Sequence, residues 1–444
     1  MEQITRRGFT NAATVSAISY SRILGANDRV RMGFIGVGNR GDQVHDAFLE
    51  FGDSETVALC DLREDYMDFA ASKSRGSPRK YKEYRNLLDD SGVDAVVIAT
   101  PDHWHALMFI DACNAGKDVY VEKPLSLTVF EGRRMVETAE RTRRVVQVGT
   151  QRRSSPVIKE AVEYVHSGAL GQVTVAKCCN LQNEWPNGIG NPPDEAPPND
   201  WEWERWLGPA PKVPYNRNRA HYNFRWFLDY SGGQLTNFGV HLVDAIRWSL
   251  GVESPHKVTA LGGKYVIKDN RDIPDTLEVL WEFDGPTLVT FTQMSGSAAP
   301  PNIKSAEWEL RGTKATLYVR EDGWEAVPEN VTEMTRFALN PLDRVGPRSY
   351  GRSKKPVAQG RSAKGKVYAD AAHARNFLDC IKSRGKCNAD ILTGHISTSA
   401  TLIANIAYKT ESMLKWDAKT EQFTDNPAAN RFLHYQYRAP YKLA

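Results

Sequence analysis

The sequence predicts an α/β protein of two domains, the first a doubly wound parallel sheet and the second an α+β domain with a large, mostly antiparallel open sheet. Two patterns support this prediction. Up to about residue 150, short apolar strands alternate with helical segments, as in a parallel sheet that helices cover on both faces. Beyond that point, strands of alternating polarity are separated by turn pairs such as Asp284-Gly285, as in an antiparallel sheet with one buried face. The length of 444 residues is sufficient for two domains.

The apolar runs place the elements in chain order. In the first half, strands are expected at residues 30–35, 56–60, 93–99, 119–121 and 145–149, and helices at 42–50, up to 115, and at 128–141. In the second half, strands are expected at 173–181, 257–266, 276–283, 287–294, 306–310 and 316–320, and helices at 156–167, 237–250, 371–383 and 395–414. Residues 340–366, rich in Arg, Lys, Gly, Ser and Pro, are expected to form a solvated loop. The predicted domains are residues 28–151 and 152–370, followed by C-terminal helices and a tail at 371–444.

Composition and charge argue against several classes of protein. The formal net charge is only +3, and the sequence has neither an arginine-rich helix nor a zinc-finger spacing, so nucleic acid is not an expected partner. The sequence has no run of about 18 apolar residues, so no membrane span is expected. The six cysteines are scattered without metal-ligand spacing, so no metal site is expected. We expect free thiols, with a bridge between Cys380 and Cys387 as the alternative.

The first 27 residues have the layout of an export signal. The pair Arg6-Arg7, followed by Phe9, precedes a mildly apolar stretch of small residues and then Leu24-Gly25-Ala26. This order is typical of a twin-arginine signal, and twin-arginine export carries proteins that are already folded. We therefore expect a periplasmic or exported protein. The alternative is a basic, frayed N-terminal helix, in which case the protein is cytoplasmic.

The first chemical motif, Gly36-Val37-Gly38-Asn39-Arg40-Gly41, follows a strand directly and opens a helix. Glycines there permit a tight turn and a close approach of the backbone to a pyrophosphate, which the helix N-terminus stabilises. Asp61, followed by Leu62, ends the next strand, where a carboxylate can accept hydrogen bonds from the adenosine ribose hydroxyls. The motif therefore predicts a dinucleotide site. A carboxylate there repels a 2′-phosphate, which favours NAD over NADP, although Arg63 keeps NADP as an alternative.

The second motif, Glu122-Lys123-Pro124, follows the fifth strand. Proline confines the preceding residue to extended conformations, so Lys123 is held in a defined direction at the carboxyl end of the strand. Ligands of open α/β sheets bind at that edge. We expect Glu122 and Lys123 to contact the cofactor, and Lys123 to stabilise an alkoxide that develops on a substrate. The alternative is a surface lysine in a turn.

The third motif is the segment 232–244, which begins with two glycines. Asn237, His241 and Asp244 stand at positions i, i+4 and i+7 of a predicted helix and so share one face. Histidine is the side chain best suited to accept a proton from an alcohol near neutral pH. These three residues are therefore the candidate catalytic group beside Lys123. Two alternatives stand: Asn237 is the N-cap of the helix, or His241 is a buried structural histidine.

In this order the three motifs resemble those of the Gfo/Idh/MocA oxidoreductase family, which includes glucose–fructose oxidoreductase and inositol dehydrogenase. The resemblance covers about residues 30–320 and the C-terminal helices. It implies a Rossmann domain followed by an α/β domain with a large open sheet, and a homo-oligomer that is a dimer or a tetramer. It also implies that Lys123 contacts cofactor and substrate and that His241 is the acid/base. Many members have Asp where this chain has Asn237, so either Asp244 supplies the missing charge or the proton relay differs.

Two further segments match the family. The segment Ala99-Thr100-Pro101-Asp102-His103-Trp104-His105 matches the family's loop beside the nicotinamide. The segment Val148-Gly149-Thr150-Gln151-Arg152-Arg153 matches the end of its sixth strand. The resemblance therefore implies that Thr100, Pro101, His103, His105 and Gln151 belong to the cofactor site and that Arg152 belongs to the substrate site.

Residues 182–226 form an excursion that is rich in Pro, Asn and Trp and holds five of the eleven tryptophans. Apolar rings beside polar groups suit a pyranose, which has flat C–H faces and a rim of hydroxyls. The alternative is that the rings pack the loop's own small core or a subunit interface. The side chains expected to contact a carbohydrate are Trp185, His221, Tyr222, Arg225 and Trp226.

Together these features predict an oxidoreductase that uses NAD, or alternatively NADP, and moves hydride from a secondary hydroxyl of a sugar, glycoside or cyclitol. One alternative is an NAD-dependent glycoside hydrolase that oxidises a sugar transiently, eliminates its substituent and reduces the carbon again. Family members of that type replace Glu-Lys-Pro, so the motif counts against this alternative. The other is a non-catalytic dinucleotide sensor, against which the presence of both Lys123 and His241 argues.

Overall fold

The computed structural model describes residues 29–332 and 354–443, apart from residues 200, 286 and 303. The predicted export signal and residues 340–353 of the predicted loop lie outside the described residues. The described chain forms a parallel sheet, a large mostly antiparallel sheet and a small two-stranded sheet. The predicted fold class is confirmed.

The N-terminal sheet has six parallel strands in the order β3-β2-β1-β4-β5-β6. They are β1 (Val30–Ile35), β2 (Ser54–Cys60), β3 (Arg79–Tyr81), β4 (Ala95–Ile98), β5 (Asp118–Val121) and β6 (Val146–Val148). The last residue of β1, Ile35, is paired with Cys60 on one side and with Ile98 on the other. The strand order reverses at β1, and open α/β sheets bind ligands at the carboxyl end of such a point.

Helices cover both faces of this sheet. They are α1 (Asn39–Leu49), α2 (Glu64–Lys73), α3 (Tyr84–Leu88), α4 (Asp102–Asn114) and α5 (Val129–Thr142). Because they cover both faces, β4 and β5 are buried over their whole length, which explains their continuous apolar runs. A capping box between Thr128 and Glu131 starts α5 and fixes its direction.

The second sheet has ten strands in the order β16-β13-β12-β11-β7-β10-β9-β8-β17-β18. The strands of the second half are β7 (Val173–Leu181), β8 (Pro255–Gly263), β9 (Thr276–Phe283), β10 (Thr287–Met294), β11 (Trp308–Gly312), β12 (Ala315–Arg320), β13 (Gly323–Pro328), β14 (Asn330–Thr332), β15 (Lys354–Pro356), β16 (Arg361–Lys364), β17 (Leu414–Asp417) and β18 (Gln422–Phe423). Neighbouring strands of the ten-stranded sheet are antiparallel except β7 and β10. Burial alternates along β10, so one face of the sheet packs against helices and the other faces outward.

The helices of the second half join the two sheets. They are α6 (Pro156–His166), α7 (Trp203–Leu207), α8 (Val240–Leu250), α9 (Asp370–Ser383) and α10 (Ile391–Thr410). The inner face of the large sheet contacts α10, where Trp281 Nε1 donates to the Ala400 carbonyl at 2.9 Å. In contrast, α9 returns to the parallel sheet, where the Phe377 ring packs edge-on against Phe48 and Tyr120. The C-terminal helices therefore hold the two sheets together.

Two sequence predictions in the C-terminal part are corrected by the structure. The last helix begins at Ile391 rather than at residue 395, because the Asp390 side chain accepts from Leu392 N at 3.1 Å and caps the helix. Leu414, predicted to end that helix, lies in β17 and pairs with β8. The predicted loop contains β15 and β16, and β16 is a polar edge strand without the apolar alternation that marks a half-buried strand.

The described residues also bear on the expected absences. Within the described ranges, no helix is long and apolar enough to cross a membrane. The same ranges hold no group of three or more His, Cys, Asp or Glu side chains arranged to bind a metal. All six cysteines are described, and none is bridged.

Candidate active site

The turn after β1 has two positions that only glycine fits. Gly36 has a φ of +83°, and a Cβ there would lie 2.8 Å from the Ala99 carbonyl oxygen. A Cβ at Gly41 would lie 2.0 Å from the Gly36 carbonyl oxygen. The turn therefore presents backbone N–H groups and the N-terminus of α1 at the sheet edge without intervening side chains. This arrangement fits a pyrophosphate.

Asp61, which follows β2, braces this turn. Its Oδ2 accepts from Val37 N at 2.9 Å, and its Oδ1 accepts from Arg63 N at 3.0 Å. Burial raises the pKa of Asp61, and these backbone donors oppose that effect. The Arg63 side chain is engaged by Asp65 at 2.9 Å, which partly neutralises the cation that a 2′-phosphate would need. The geometry thus fits an NAD ribose better than a phosphorylated one.

Glu122 is a buried carboxylate at the end of β5. Its Oε1 accepts from Arg40 Nε at 2.9 Å and from Gln151 Nε2 at 3.0 Å. Arg40 also donates to Asp370 at 2.7 Å, so the first helix, the fifth strand and the C-terminal part meet at this cluster. Gln151 therefore holds Glu122 from behind. Arg40 and Glu122 line the cavity that lies between the two domains, whereas Gln151 does not.

Lys123 meets the second domain through one hydrogen bond. Its Nζ donates to Asn237 Oδ1 at 3.0 Å, and Asn237 Nδ2 donates to Gln234 Oε1 at 3.1 Å. Burial lowers the pKa of Lys123 to about 8, against the opposing effect of the neighbouring Glu122 carboxylate. The ammonium thus has a neutral partner and points into the space between the domains.

Asn237 is not the N-cap that the sequence offers as its alternative role, and it meets Lys123 rather than His241. It lies in a π-helical turn, Leu235–Gly239, which leads into α8 without a break from Gly233. It is therefore inside the helical segment and is not its N-cap. The wider π turn also disturbs the simple i, i+4, i+7 face, and the side chain of Asn237 contacts Lys123 rather than His241.

His241 lies one turn further along, on α8. It is 7% exposed, and its Nδ1 has no hydrogen-bond partner among the described residues. Burial lowers the pKa of His241 well below 6.5, and the charge of Lys123 lowers it further. The imidazole is therefore neutral at pH 7.

Asp244, one of the two explanations offered for the missing charge at Asn237, has both carboxylate oxygens engaged by other residues. Its Oδ2 accepts from Arg153 Nε at 2.8 Å, and its Oδ1 accepts from Ser397 Oγ at 2.6 Å. Both partners lie on the side of α8 that faces α10 and the turn after β6. Asp244 is thus a docking residue of the helix and is placed outside the catalytic group.

The loop after β4 splits the four residues predicted there into two pairs. Thr100 and Pro101 line the cavity. His103 and His105 are buried below it: His103 Nε2 lies 3.1 Å from the Trp206 carbonyl oxygen, and His105 lies between the carbonyl oxygens of Pro124 and Thr100. The two histidines hold the loop in place and do not reach the cavity.

A cavity of about 410 Å³ runs along this edge of the parallel sheet, between the two domains. The predicted residues that line it are Gly36, Gly38, Asn39, Arg40, Asp61, Leu62, Thr100, Pro101, Glu122, Lys123, His221, Tyr222, Arg225 and Asn237. The predicted residues that do not line it are Gly41, His103, His105, Gln151, Arg152, Trp185, Trp226, His241 and Asp244. The cofactor motifs are brought together, whereas about half of the predicted substrate contacts are not.

Three predicted substrate contacts are corrected by the structure. Arg152 is buried, and its Nη2 donates to Glu307 and to the Tyr368 hydroxyl, each at 2.7 Å. Trp226 is buried in a small aromatic core of the excursion, under the guanidinium of Arg271. Trp185 is 60% exposed and does not line the cavity. Most of the aromatic rings thus pack the excursion's own core, as the alternative interpretation held.

The side chains of the cavity wall that sequence reasoning missed include Tyr66, Trp201 and Tyr441. Tyr441 comes from the C-terminal tail and packs edge-on against Trp104, with the ring centres 5.4 Å apart. No local sequence pattern predicts this contact. Asp102 was also missed as a lining residue, although it stands in the segment that resembles the family's loop. It accepts from Ser231 Oγ at 2.5 Å.

Fold and site together define a two-domain dinucleotide-binding protein of the oxidoreductase type. Residues 30–150 match the oxidoreductase family with the NAD-binding Rossmann fold. Residues 155–264 and 358–443 match the C-terminal alpha/beta domain of the same family, and residues 212–318 match the GFO/IDH/MocA C-terminal domain. The chain belongs to the Gfo/Idh/MocA oxidoreductase family, and its first domain is an NAD-binding Rossmann domain.

Solved structures with this fold include sugar and cyclitol dehydrogenases. A levoglucosan dehydrogenase in complex with NADH and levoglucosan matches with a TM-score of 0.62 at 18% identity, over 87% of this chain and 99% of that one. A scyllo-inositol dehydrogenase from Lactobacillus casei with bound NAD(H) and scyllo-inositol matches with a TM-score of 0.61 at 17% identity, over 87% and 99%. At these identities the likeness shows the fold.

Curated relatives match over a shorter stretch. A glycosyl hydrolase family 109 protein of Shewanella sp. (strain W3-18-1) is 42% identical over 125 residues, and one from Shewanella sp. (strain MR-4) is 42% identical over 123 residues. Each match spans 26% of this chain and 27% of the relative. The chain thus aligns with about a quarter of the length of these relatives.

Proposed function

We propose that this chain is an NAD-dependent dehydrogenase that oxidises a secondary hydroxyl of a sugar, a glycoside or a cyclitol. The observation that carries the proposal is the 3.0 Å hydrogen bond between Lys123 and Asn237 at the carboxyl edge of the parallel sheet. It sets an ammonium group with a neutral partner beside a dinucleotide cradle. The solved neighbours that act on levoglucosan and on scyllo-inositol support the same class of substrate.

Bound NAD supplies the hydride acceptor. The chain's own residues hold the substrate hydroxyl and move its proton. Lys123 Nζ donates to the hydroxyl oxygen and stabilises the negative charge that develops there. We assign the final acceptance of the proton to His241, which is neutral and lies behind the cavity wall one helical turn after Asn237, with an Nδ1 that has no hydrogen-bond partner among the described residues. Glu122 and Asn237 keep the ammonium in place from the two domains.

The decisive experiment is a panel of sugars, glycosides and inositols supplied with NAD and with NADP. Nicotinamide absorbance and released aglycone are recorded together. NADH formation without aglycone release supports the proposed dehydrogenase. Turnover of no compound in the panel would contradict it.

The 42% identity to glycosyl hydrolase family 109 proteins favours a second candidate function, a glycoside hydrolase that uses NAD without net reduction. Release of aglycone with no accumulation of NADH would support this candidate over the first. The presence of the complete Glu122-Lys123-Pro124 motif supports the dehydrogenase.

We also propose that the protein is a homo-oligomer. The outer face of the large sheet has four exposed apolar side chains, Leu261, Leu280, Leu288 and Met294. A second copy is an occupant that would remove this surface from water. Light scattering on the purified protein measures the mass, and Leu280→Glu should lower it if this face forms the interface. A wild-type protein that scatters as a monomer would contradict the proposal.

A further inference from the structure

Arg225 is a cation that the proposed chemistry does not use. It lies on the 3₁₀ turn His221–Trp226 and lines the cavity. Its Nε donates to the Tyr222 carbonyl at 2.9 Å, and its guanidinium carbon lies 3.7 Å from the centre of the Tyr222 ring. Backbone and ring thus hold the guanidinium plane in one direction.

This cation has no carboxylate partner. Among the described residues, no ion pair joins the Arg225 guanidinium to a carboxylate, and its contacts are the Tyr222 carbonyl and the rings of Tyr222 and Phe224. Burial lowers the pKa of Arg225, so its charge sits in a poorly solvated place. The carboxylate whose charge acts on the pKa of Arg225 is Asp102. Its Oδ2 accepts from Ser231 Oγ at 2.5 Å.

Arg225 acts together with Lys123. Both side chains line the cavity, and the charge of Arg225 contributes to the lowered pKa of Lys123. The hydrogen-bond partner of Lys123 Nζ is a neutral amide. The carboxylate behind Lys123, Glu122, accepts from Arg40 and Gln151. Among the described residues, both cations therefore line the cavity without an ion-pair partner, and the Asp102 carboxylate that lines it with them is engaged by Ser231 Oγ.

The cofactor's own pyrophosphate fits elsewhere. Its cradle is the turn Gly36–Gly41 at the N-terminus of α1, where Arg40 already supplies a cation. The charged neighbours of Arg225 are instead Asp102 and Lys123, at the carboxyl ends of β4 and β5. This is the end of the cavity where the substrate hydroxyl must lie if Lys123 is to reach it.

We propose that Arg225 and Lys123 form an anion subsite that binds a carboxylate of the substrate, so that the preferred substrates are sugar acids such as aldonates or uronates. This proposal rests on the proposed function. A guanidinium takes a carboxylate through two parallel hydrogen bonds, and a partly desolvated pair of cations strengthens that contact. The carboxylate also fixes which carbon of the ring is presented to Lys123.

Binding to the NAD-loaded protein tests the subsite without turnover. Calorimetry compares gluconate and glucuronate with glucose, for the wild type, for Arg225→Gln and for Arg217→Gln as the matched control. Arg217 is an exposed residue of the same excursion and does not line the cavity. We expect the wild type and the control to bind at least one of the acids at least about tenfold more tightly than glucose, and Arg225→Gln to lose this preference.

Other outcomes overturn the subsite. Weaker NAD binding by Arg225→Gln, with the preference for acids intact, would assign Arg225 to the cofactor. Wild-type binding of neutral sugars with rejection of acids would overturn the subsite and leave the dehydrogenase proposal standing. In contrast, tight binding of an acid with no oxidation of any compound would keep the subsite and contradict the proposed function.

Discussion

Lys123 Nζ donates a hydrogen bond to Asn237 Oδ1 over 3.0 Å, and this bond joins the end of β5 to the π-helical turn that precedes α8. The two residues are 114 positions apart in the chain. The site therefore exists only where the two domains pack together. The hydrogen-bond partner of the ammonium is neutral, and burial lowers the pKa of Lys123 to about 8.

Asn237→Asp should shift the pH dependence of the enzyme. A carboxylate beside Lys123 favours the charged ammonium and raises its pKa by roughly one unit or more above the value of about 8. Because the protonated ammonium is the form that stabilises the oxyanion, the alkaline limb of kcat/KM for oxidation should move to higher pH. The matched control is Asn191→Asp, on an exposed position of the excursion. An alkaline limb that stays in place, or moves to lower pH, would contradict the assigned role of Lys123.

Lys123→Ala and His241→Ala should each lower turnover at least about a hundredfold, since each removes a group that acts as the alkoxide forms. Steady-state kinetics measure the loss, and circular dichroism with an NAD titration shows whether fold and cofactor binding survive. The matched control for His241 is His256→Ala, because His256 lies on β8 with its side chain 45% exposed. Near-wild-type rates in both alanine variants would refute the candidate active site.

Asp61→Asn should narrow the preference for NAD over NADP. The amide keeps an oxygen for the backbone donors Val37 N or Arg63 N but removes the negative charge that repels a 2′-phosphate. Asp61→Ala should also narrow the preference for NAD over NADP, and it should loosen the turn because it removes the acceptors of both backbone hydrogen bonds. Dissociation constants for the two dinucleotides measure the effect. A wild-type protein that binds NADP ten times more tightly than NAD would show that Asp61 does not select the cofactor.

The excursion should retain the cofactor between turnovers. His221 reaches α2 of the first domain, where its Nδ1 lies 3.5 Å from the Tyr66 hydroxyl. The Trp201 ring packs on the His221 ring at 4.5 Å. Denaturing the purified protein should release close to one NAD per chain. Trp201→Ala should speed NAD release, measured by displacement, whereas Trp185→Ala at its exposed position should not. A cofactor-free preparation that needs added NAD for every turnover would count against this retention.

Export should depend on the arginine pair near the N-terminus. If residues 1–27 are a twin-arginine signal, the double variant Arg6→Lys, Arg7→Lys should remain in the cytoplasm. Cell fractionation and immunoblotting measure where the protein accumulates. Equal periplasmic yield of the double variant and the wild type would show that the segment has another role.

The sequence by itself determined the features that depend on neighbours in the chain. The glycine motif predicts the turn because a strand, a tight bend and a helix follow one another within a dozen residues, and only glycine tolerates the approach seen at Gly36 and Gly41. The strands β1, β7, β9 and β10 were predicted with their observed bounds, because the apolar run of β1 and the alternating polarity of the other three are local features of the sequence.

Only the tertiary structure decided which polar groups meet. A carboxylate such as Asp244 or a cation such as Arg152 can serve a substrate or an ion pair equally well by residue type, and the choice depends on a partner far away in the chain. The π turn at Asn237 changes which face a side chain occupies, and helical periodicity gives no sign of it. The local chemistry of each motif was therefore predictable, but the contacts between domains follow from long-range packing that no local pattern encodes.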